Sequence, residues 1–361
     1  MKIVFFSGDI SRSGGTERVL SLIANGLAER GYEIVIFSLT GKGASFYKLD
    51  DSVRIRWIGS KGLETNIISN LRTLSRLMKE EKPDFLIDVD IILCFYSGLL
   101  KLRFPKTHWI SWEHFNYFTR FPVNHNLRKV ARFIVSRFSE CLVVLSDEDK
   151  GYYQDNMRLK CRIERIYNPT PYEEDIQKTE EKKVVLAVGR LTRIKGYDML
   201  LKSWKMVEKR NPGWTLRFVG DGEERGNLEA ETKKLGLKNV EFVGMVDDVR
   251  PYYKEAAFFV LSSRNEGFVM VLLEAMKYSL PVVAFSCKAG VREVVKEGVN
   301  GYLAPPKNTR IMAKKMELMI RNDEKRRNMG ANAKVMIGRF SQKRILEEWE
   351  RLFEDIKKLE V

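Results

Sequence analysis

Short, mainly apolar runs recur along the chain, separated by segments whose apolar residues follow a helical period. Such runs lie at 2–7, 33–38, 184–189, 215–219, 240–243, 257–261 and 281–285. Strands that are apolar on both faces are typical of parallel sheets covered by helices. Because the alternation stops and then starts again, we predict an α/β protein with two Rossmann-like parallel-sheet domains.

The segment 169–183 separates the two series; it is polar and marked by prolines, as expected of a linker. With 361 residues, the chain is longer than one hydrophobic core usually serves. We expect an N-terminal domain over 1–170 and a C-terminal domain over 183–340. A last helical pattern over 341–361 could pack on either domain, including back on the N-terminal one.

The chain carries a formal net charge of +15, which favours anionic partners. Between residues 101 and 138, eight lysines or arginines stand against one acid, and nine aromatic residues are interleaved. Nucleic acid, an anionic membrane surface and phosphorylated substrates are all compatible with this charge. No run of about 18 apolar residues occurs, so no membrane span is expected. The four cysteines are widely scattered, as is typical of reduced thiols in a cytosolic protein.

The polar loops after the strands are candidate ligand sites, because parallel sheets bind ligands beyond the carboxyl ends of their strands. The first of these loops lacks both the G-x-G-x-x-G spacing of dinucleotide-binding proteins and the P-loop pattern. Gly14 and Gly15 precede a helix there and would let an anion approach its free N–H groups, unless they form a plain flexible turn. In the second half, the loop 189–196 holds Arg190 and Lys195, which suit a diphosphate or are solvated surface cations.

The segment 265–274 places two glutamates, Glu266 and Glu274, eight positions apart among apolar residues. Glu266 is predicted in the loop at a strand's carboxyl end, and Glu274 inside the following helix. A carboxylate in apolar surroundings needs hydrogen-bond donors, and sugar hydroxyls supply them. Backbone N–H groups from Glu266 to Phe268 could also hold a phosphate at the helix start. Alternatively, Glu274 caps a neighbouring loop and Glu266 is an ordinary acid of the first helical turn.

Six segments, in their order along the chain, resemble the motifs of retaining nucleotide-sugar glycosyltransferases of family 4. They are S-G-G-T-E-R at 13–18, W-E-H-F-N at 112–116, G-R-L-T-R-I-K-G at 189–196, G-D-G at 220–222, E-F-V-G-M-V at 241–246, and the glutamates at 266 and 274. The resemblance covers nearly the whole chain. It implies the GT-B fold, in which two Rossmann-like domains face a cleft, and the branch that builds bacterial surface or lipid-linked glycans.

The resemblance also implies a role for each matching residue. Arg190 and Lys195 would bind the donor's diphosphate and neutralise the departing nucleotide. Glu274 would accept the ribose hydroxyls and Glu266 the hydroxyls of the donor sugar. His114 would contact the sugar beside its anomeric carbon, with a packed, hydrogen-bonded role as the alternative. The other donor contacts implied are Gly14, Gly15, Gly189, Gly220, Asp221, Met245, Val246, Gly267, Phe268 and Val269.

The residues next to His114 depart from the family pattern, since Phe115 stands where a small polar residue is usual. The neighbouring sugar contacts are therefore not carried over. The resemblance further implies retention of anomeric configuration, and we name no protein nucleophile.

Asp88 and Asp90 match the D-x-D pattern with which another glycosyltransferase architecture holds a divalent metal. The pair ends a predicted strand of the first half, whereas the cations proposed for the phosphates lie in the second half. We therefore expect a structural or acceptor-side role for this pair, and chemistry that needs neither a metal nor a cofactor.

A helical pattern over 127–138 sets basic residues around apolar ones, as in helices that lie on a membrane surface. An ordinary domain helix with a solvated cationic face is the alternative. By resemblance, the N-terminal domain receives the acceptor, so we expect a cytoplasmic protein attached peripherally to the inner face of the cytoplasmic membrane. The candidate contacts for the acceptor or for lipid head groups are Glu17, Arg120, Arg128, Lys129 and Arg132.

The predicted function is transfer of a hexose or N-acetylhexosamine from a nucleotide sugar, with UDP as the default nucleotide. The acceptor would be a glycan or a polyprenyl-diphosphate-linked sugar. Another GT-B enzyme, such as a nucleotide-sugar epimerase or a phosphorylase, is the nearer alternative. A nucleic-acid-binding protein is a distant one, because it would leave Glu266 and Glu274 without a purpose; no nucleic-acid partner is expected.

Overall fold

The computed structural model describes residues 1–62, 65–119, 125–172, 181–288 and 290–358. The chain divides into two compact units. The N-terminal unit consists of Met1–Pro169 together with Gln342–Val361, and the C-terminal unit of Thr170–Ser341. The break at residues 169 and 170 falls at the start of the polar segment between the two series of strands.

The N-terminal unit is built on a parallel sheet with helices on both faces. Its strands, over the described residues, are β1 (Lys2–Ser7), β2 (Glu33–Ser38), β3 (Arg54–Trp57), β4 (Phe85–Val89), β5 (His108–Trp112), β6 (Cys141–Val144) and β7 (Arg162–Arg165). Its helices there are α1 (Gly15–Glu29), α2 (Ile67–Glu81), α3 (Cys94–Arg103), α4 (His125–Phe138), α5 (Asp147–Asn156) and, at the chain's end, α13 (Gln342–Lys358). The strand order is β3-β2-β1-β4-β5-β6-β7.

Both faces of the central part of this sheet are buried, which explains why its central strands are mainly apolar. The edge strands β3 and β7 carry charged residues and are more exposed. Leu86 lies in the core formed with α2 and α3. Its neighbour Phe85 points to the opposite face, as successive strand residues do, and its ring lies 4.8 Å from that of Phe353 in α13. The last helix of the chain is therefore part of the N-terminal unit.

The C-terminal unit repeats this architecture. Its strands, within the described residues, are β8 (Val184–Val188), β9 (Thr215–Val219), β10 (Val240–Gly244), β11 (Phe258–Leu261), β12 (Val282–Phe285) and β13 (Gly301–Ala304). Its helices there are α6 (Tyr197–Glu208), α7 (Arg225–Leu235), α8 (Arg250–Glu255), α9 (Met270–Lys277), α10 (Val291–Val294), α11 (Thr309–Arg321) and α12 (Asp323–Met336). The order is β10-β9-β8-β11-β12-β13, again with parallel pairs.

Each sheet has a point at which the strand order reverses. In the N-terminal unit the reversal lies between β1 and β4, and in the C-terminal unit between β8 and β11. Connections on the two sides of such a point leave in opposite directions, so a crevice opens beyond the carboxyl ends of the two strands. The loops after β1, β4, β8 and β11 are therefore the places to look for ligand-binding residues.

Candidate active site

The loops after β8 and β11 bring Lys195 and Glu266 together at the switch point of the second sheet. The Lys195 ammonium donates to Glu266 Oε1 at 2.8 Å, and Ser263 Oγ donates to the same oxygen at 2.6 Å. The two charged side chains are 21% and 13% exposed. They are thus shielded on most sides yet open to a ligand, with a cation for an anionic group beside a carboxylate for hydroxyls.

Local packing holds these two loops in place. Ser262 Oγ donates to the Lys195 carbonyl at 2.9 Å, and Arg264 binds both carboxylate oxygens of Asp198 at 2.7 and 2.8 Å. Gly196 lies between them with φ 66°, and a β-carbon there would lie 2.2 Å from the Ser262 carbonyl oxygen. Only glycine accepts both the positive φ and the close contact with the Ser262 carbonyl oxygen. The glycine therefore lets the two loops approach closely enough for Lys195 to reach Glu266.

Arg190 does not join this pair. Its side chain is 73% exposed, and its Nε lies 3.6 Å from Glu223 Oε2, itself a mostly exposed group. The sequence predicts that Arg190 and Lys195 converge, but only Lys195 turns towards Glu266. Arg190 stands directly after Gly189 at the strand end, where its long side chain extends into solvent.

The G-D-G turn after β9 packs against the loop after β8. Gly220 has φ 129°, and a β-carbon on it would lie 2.3 Å from the Gly189 carbonyl oxygen. Asp221 accepts hydrogen bonds from the Gly222 N–H at 2.7 Å and from Arg225 at 2.9 Å, and these two donors lower the pKa of its carboxyl. Close packing against the Gly189 backbone thus explains why residue 220 is a glycine. The two hydrogen bonds from Gly222 and Arg225 explain why residue 221 is an aspartate.

Met245 and Val246 follow β10 at the same carboxyl edge. Met245 is 80% exposed, which is unusual for a large apolar side chain on a strand end, and Val246 is half-buried. On the opposite side of the switch point, Gly267, Phe268 and Val269 lie directly before the first residue of α9. Phe268 and Val269 are buried, so their side chains anchor the start of this helix.

Glu274 is buried in α9 and bonded to a neighbouring helix. Glu274 is only 3% exposed. Its Oε2 accepts a 2.8 Å hydrogen bond from the hydroxyl of Tyr253 in α8. Tyr253 in turn stacks on Tyr278, with ring centroids 5.3 Å apart. The hydroxyl satisfies part of the hydrogen-bonding capacity of an otherwise costly buried carboxylate.

In the N-terminal unit, Gly14 and Gly15 begin α1 in the loop after β1. A β-carbon on Gly14 would lie 2.1 Å from the Glu17 carboxylate, whereas one on Gly15 would meet no atom of the described residues within 4 Å. Glu17 is the third residue of the helix, from which a carboxylate can reach back to the helix start. Burial raises the pKa of this carboxyl.

His114 lies two residues beyond β5 and is almost completely buried. Its ring is tilted by 49° against that of Trp112, with the ring centroids 4.3 Å apart. Burial first, and then the positive charge of Arg128, lower the pKa of His114 to about 3, so the ring is neutral at physiological pH. Its buried Nε2 has no hydrogen-bond partner among the described residues. Such an atom is costly unless a ligand satisfies it.

A cluster of buried charges holds the loop that carries His114. Arg128 of α4 donates to Glu113 Oε1 at 3.0 Å and to Asp90 Oδ1 at 2.7 Å. Glu113 also accepts from the Phe115 N–H at 3.1 Å and from the Tyr153 hydroxyl at 3.2 Å. Asp90 adopts φ 127°, a rare conformation for a side-chain-bearing residue. The strand ends of β4 and β5 are thereby tied to one arginine.

The sequence predicts basic residues on an exposed face of the helix that the structure shows as α4. For two of these residues the prediction is wrong. Arg128 and Arg132 are buried, and Arg132 lies 4.8 Å over the Tyr117 ring and donates to the Tyr153 hydroxyl at 3.2 Å. Both point inward because buried acids and aromatic rings lie beneath α4. Lys129 is exposed as predicted, and Arg120 lies outside the described residues.

Asp88 lies in the core rather than beside a ligand. Its carboxylate accepts from Trp109 Nε1 at 2.8 Å and from Ser97. Asp88 is hydrogen-bonded within the core and Asp90 pairs with Arg128, so other side chains of the protein contact both carboxyl groups. These contacts are compatible with the structural alternative expected for the pair.

Several residues around these sites carry no motif in the sequence. Tyr253 and Asp198 are recognisable only through their partners, which lie 21 and 66 residues away. Ser262 and Ser263 offered a weak signal, because small hydroxyl residues at the end of a strand can bind the following loop. The sequence predicts Arg128 as a surface cation, because its partners Asp90 and Glu113 lie 38 and 15 residues away.

Comparisons with known proteins identify the family and the fold. The sequence pattern described as Glycosyl transferases group 1 matches residues 170–336, and the one described as Glycosyltransferase Family 4 matches residues 13–174. The chain is 33% identical to an uncharacterized glycosyltransferase of Haemophilus influenzae, over 97% of this chain and 99% of the relative.

Two further matches extend this similarity to characterised proteins. The chain is 30% identical, over 99% of both chains, to a Campylobacter jejuni α-1,4-N-acetyl-D-galactosaminyltransferase whose named substrate is an undecaprenol-diphosphate-linked glycan. The present chain has the fold of HepE from Anabaena, solved with UDP and glucose. The TM-score is 0.82, and the identity is 20% over 97% of this chain and 99% of HepE. From the two parallel-sheet units, the matched patterns and these full-length relatives, it follows that the chain belongs to the family 4 glycosyltransferases of GT-B fold.

Proposed function

We propose that this glycosyltransferase moves a hexose or N-acetylhexosamine from a nucleotide sugar, with UDP as the nucleotide, and retains its anomeric configuration. The acceptor is a glycan or a polyprenyl-diphosphate-linked sugar in bacterial surface polysaccharide assembly. The observation that carries the proposal is the contact between Lys195 and Glu266 at the switch point of the second sheet. It sets a phosphate-binding cation 2.8 Å from a hydroxyl-binding carboxylate, as an activated sugar diphosphate requires.

Relatives support the choice of substrates. One similar protein of Erwinia amylovora is named as an amylovoran biosynthesis glycosyltransferase and is 30% identical over 96% of this chain. The Campylobacter relative acts, by its name, on a glycan carried by undecaprenol diphosphate. Solved structures of the same fold contain UDP, which makes UDP the first nucleotide to test.

Within the donor site, each residue has a distinct task. Lys195 neutralises the diphosphate as it leaves, with Arg190 turning in from solvent, since charge develops there in the transition state. Glu266 orients the sugar through its hydroxyls, and Glu274 accepts the ribose hydroxyls. The backbone around Gly189, Gly220 and Asp221, and the N–H groups of Gly267, Phe268 and Val269, surround the phosphates and the sugar. Met245 and Val246 lie against the base.

We assign further roles to residues of the N-terminal unit. His114 offers a neutral imidazole whose unsatisfied Nε2 binds a sugar hydroxyl beside the anomeric carbon. Gly14 and Gly15 allow close approach of the diphosphate to the start of α1, and Glu17 reaches an acceptor hydroxyl. No step requires a metal, because cationic side chains serve the phosphates; the enzyme works peripherally at the inner face of the cytoplasmic membrane.

Thermal shift with a panel of UDP and GDP sugars tests the donor. A bound donor stabilises the folded state, so at least one should raise the melting temperature. Lys195→Met should weaken donor binding about tenfold or more, the usual size of a lost charged hydrogen bond. Lys205→Met, an exposed lysine of α6, is the matched control and should bind as the wild type does. If no nucleotide sugar binds while nucleic acid is retained, the proposal is wrong.

Stereochemistry and metal use need a second experiment. NMR of the first sugar released by slow hydrolysis of an α-linked donor should show the α-anomer. Addition of EDTA should leave the rate unchanged. Release of the β-anomer would contradict retention, and inhibition by EDTA that Mg²⁺ reverses would contradict metal independence.

A further inference from the structure

The neighbouring helices α3 and α4 expose large apolar side chains to solvent. Leu99, Leu102, Val130, Phe133 and Phe138 are each 47–80% exposed. We call these five side chains the α3–α4 apolar face. Single exposed apolar residues are ordinary, but a group of this size on two adjoining helices indicates an interaction surface.

The two helices that carry these side chains pack side by side and run in the same direction. A β-carbon on Gly98 would lie 3.6 Å from Ile134 Cγ2, which fixes the level at which the helices meet. Each helix follows one strand of the parallel sheet and precedes the next, so both run antiparallel to the strands. One turn beyond the contact, Leu102 therefore comes to the level of Phe138.

The two helices contribute cations and no acid to the surroundings of this face; Glu140, two residues beyond Phe138, pairs with Lys101 at 2.6 Å. Neither Cys94–Arg103 nor His125–Phe138 includes an aspartate or glutamate. Arg103, Lys106 and Lys129 are exposed beside it. Arg137 lies 5.3 Å over the Phe133 ring, and its Nε has no hydrogen-bond partner among the described residues.

We propose that the α3–α4 apolar face seats the N-terminal unit on an anionic phospholipid bilayer. The apolar side chains enter the boundary between head groups and acyl chains, while Arg103, Lys106 and Lys129 contact lipid phosphates. This inference rests on the proposed membrane-side function and specifies the surface responsible for it.

Charge favours a bilayer over a protein partner as the occupant. An apolar centre with exposed cationic side chains beside it is complementary to anionic lipid, whereas protein interfaces usually pair cations with acids. No helix among the described residues is long and apolar enough to cross a membrane, so attachment through side chains of docked helices is the form available to them. The buried Arg128 and Arg132 take no part in it.

Vesicle co-sedimentation tests the proposal. Wild-type protein should bind vesicles of equal parts phosphatidylcholine and phosphatidylglycerol, and bind pure phosphatidylcholine vesicles weakly. The double variant Leu102→Ser/Phe133→Ser should bind the mixed vesicles about tenfold or more weakly. The control Leu318→Ser/Val335→Ser changes two exposed apolar residues of α11 and α12 and should bind like the wild type.

Charge reversal provides an independent arm. Lys106→Glu/Lys129→Glu should lower binding to the mixed vesicles and reduce its dependence on salt, since electrostatic attraction is screened by ions. Equal vesicle binding by the Leu102→Ser/Phe133→Ser variant and the wild type would overturn the proposal. So would absence of vesicle binding together with a wild-type dimer that this variant dissociates, because the face would then be a contact between two copies.

The donor assay separates this inference from the proposed function. All of these positions are exposed, so each variant should keep the wild-type melting temperature and the wild-type shift with the nucleotide sugar. Normal donor binding with unchanged vesicle binding refutes the membrane face alone. If the wild-type protein binds no nucleotide sugar, the proposed function is refuted, and the vesicle result is then judged independently of it.

Discussion

His114 illustrates how surroundings decide the chemistry of one residue. An unperturbed histidine has a pKa of about 6.5. Burial and the charge of Arg128 lower the pKa of His114 to about 3. Its ring therefore stays neutral in the folded protein. A neutral ring can accept or donate a hydrogen bond at Nε2 without carrying charge next to the developing positive charge of a transferred sugar.

We predict that the His114 imidazole does not titrate between about pH 5 and pH 8 in the folded protein, given that shift. Nitrogen NMR of histidine-labelled protein can follow this, because the chain has three histidines and His114→Gln assigns the resonance. Addition of UDP-sugar should shift the His114 signal without protonating the ring. A His114 resonance that moves to the imidazolium position near pH 6.5 would contradict the prediction.

Asp88 gives a stability effect whose sign follows from its pKa. Burial raises the pKa of Asp88 to about 8, whereas in the unfolded chain it is about 3.9. Between these values the unfolded chain has released the proton and the folded chain has kept it. Folding stability from this residue therefore falls as pH rises, by at most about 1.4 kcal/mol per pH unit.

Asp88→Asn should remove this component. The amide oxygen can still accept from Trp109 and the amide nitrogen can donate to Ser97, so the core hydrogen bonds remain. Urea unfolding between about pH 5 and pH 7.5 should show a less negative slope of stability against pH for the variant than for the wild type. Identical slopes would show that Asp88 is ionised in the folded protein.

At the scale of elements, α4 has two faces with different tasks. Its inner face places Arg128 between Asp90 and Glu113, which joins the strand ends behind the loop of His114. Its outer face exposes Val130 and Phe133. The helix thus supports the loop of His114 with one face and exposes apolar side chains on the other.

Arg128→Met should destabilise the protein by about 3–5 kcal/mol, because it leaves buried carboxylates without their counter-charge. Lys129→Met changes the next residue of the same helix, which is exposed, and should change stability by no more than about 0.5 kcal/mol. Urea unfolding at neutral pH measures both. Similar effects of the two substitutions would mean that the buried cluster contributes little.

The whole molecule consists of one continuous unit and one discontinuous unit. The C-terminal unit is a single stretch, Thr170–Ser341, with its own apolar core. The N-terminal unit needs α13 from the far end of the chain, since Trp349 packs on Trp112 at 5.1 Å and Phe353 on Phe85 at 4.8 Å. Ion pairs such as Arg165–Glu348 at 2.9 Å fix the helix in register.

We predict that a fragment 170–341 folds alone and binds the donor nucleotide, whereas a fragment 1–169 does not fold cooperatively. Without α13, buried apolar rings would face water, and each large core side chain contributes about 3–5 kcal/mol of the roughly 5–15 kcal/mol that stabilise a domain. Circular dichroism melts report both outcomes. Joining 342–361 to the end of 1–169 should restore a cooperative transition, and a cooperative melt of 1–169 alone would contradict the prediction.

What the sequence determined by itself is the fold class, the alternation of strands and helices in two halves, and the positions of Lys195, Glu266 and Glu274 at strand ends or in the following helix. These features depend on local periodicity and on loop residues, which the chain displays directly. Tertiary structure decided which charges meet. It turned Arg128 and Arg132 into the interior, directed Arg190 into solvent, and attached α13 to the N-terminal unit. Pairing and burial depend on residues up to hundreds of positions apart, and no local pattern encodes such distances.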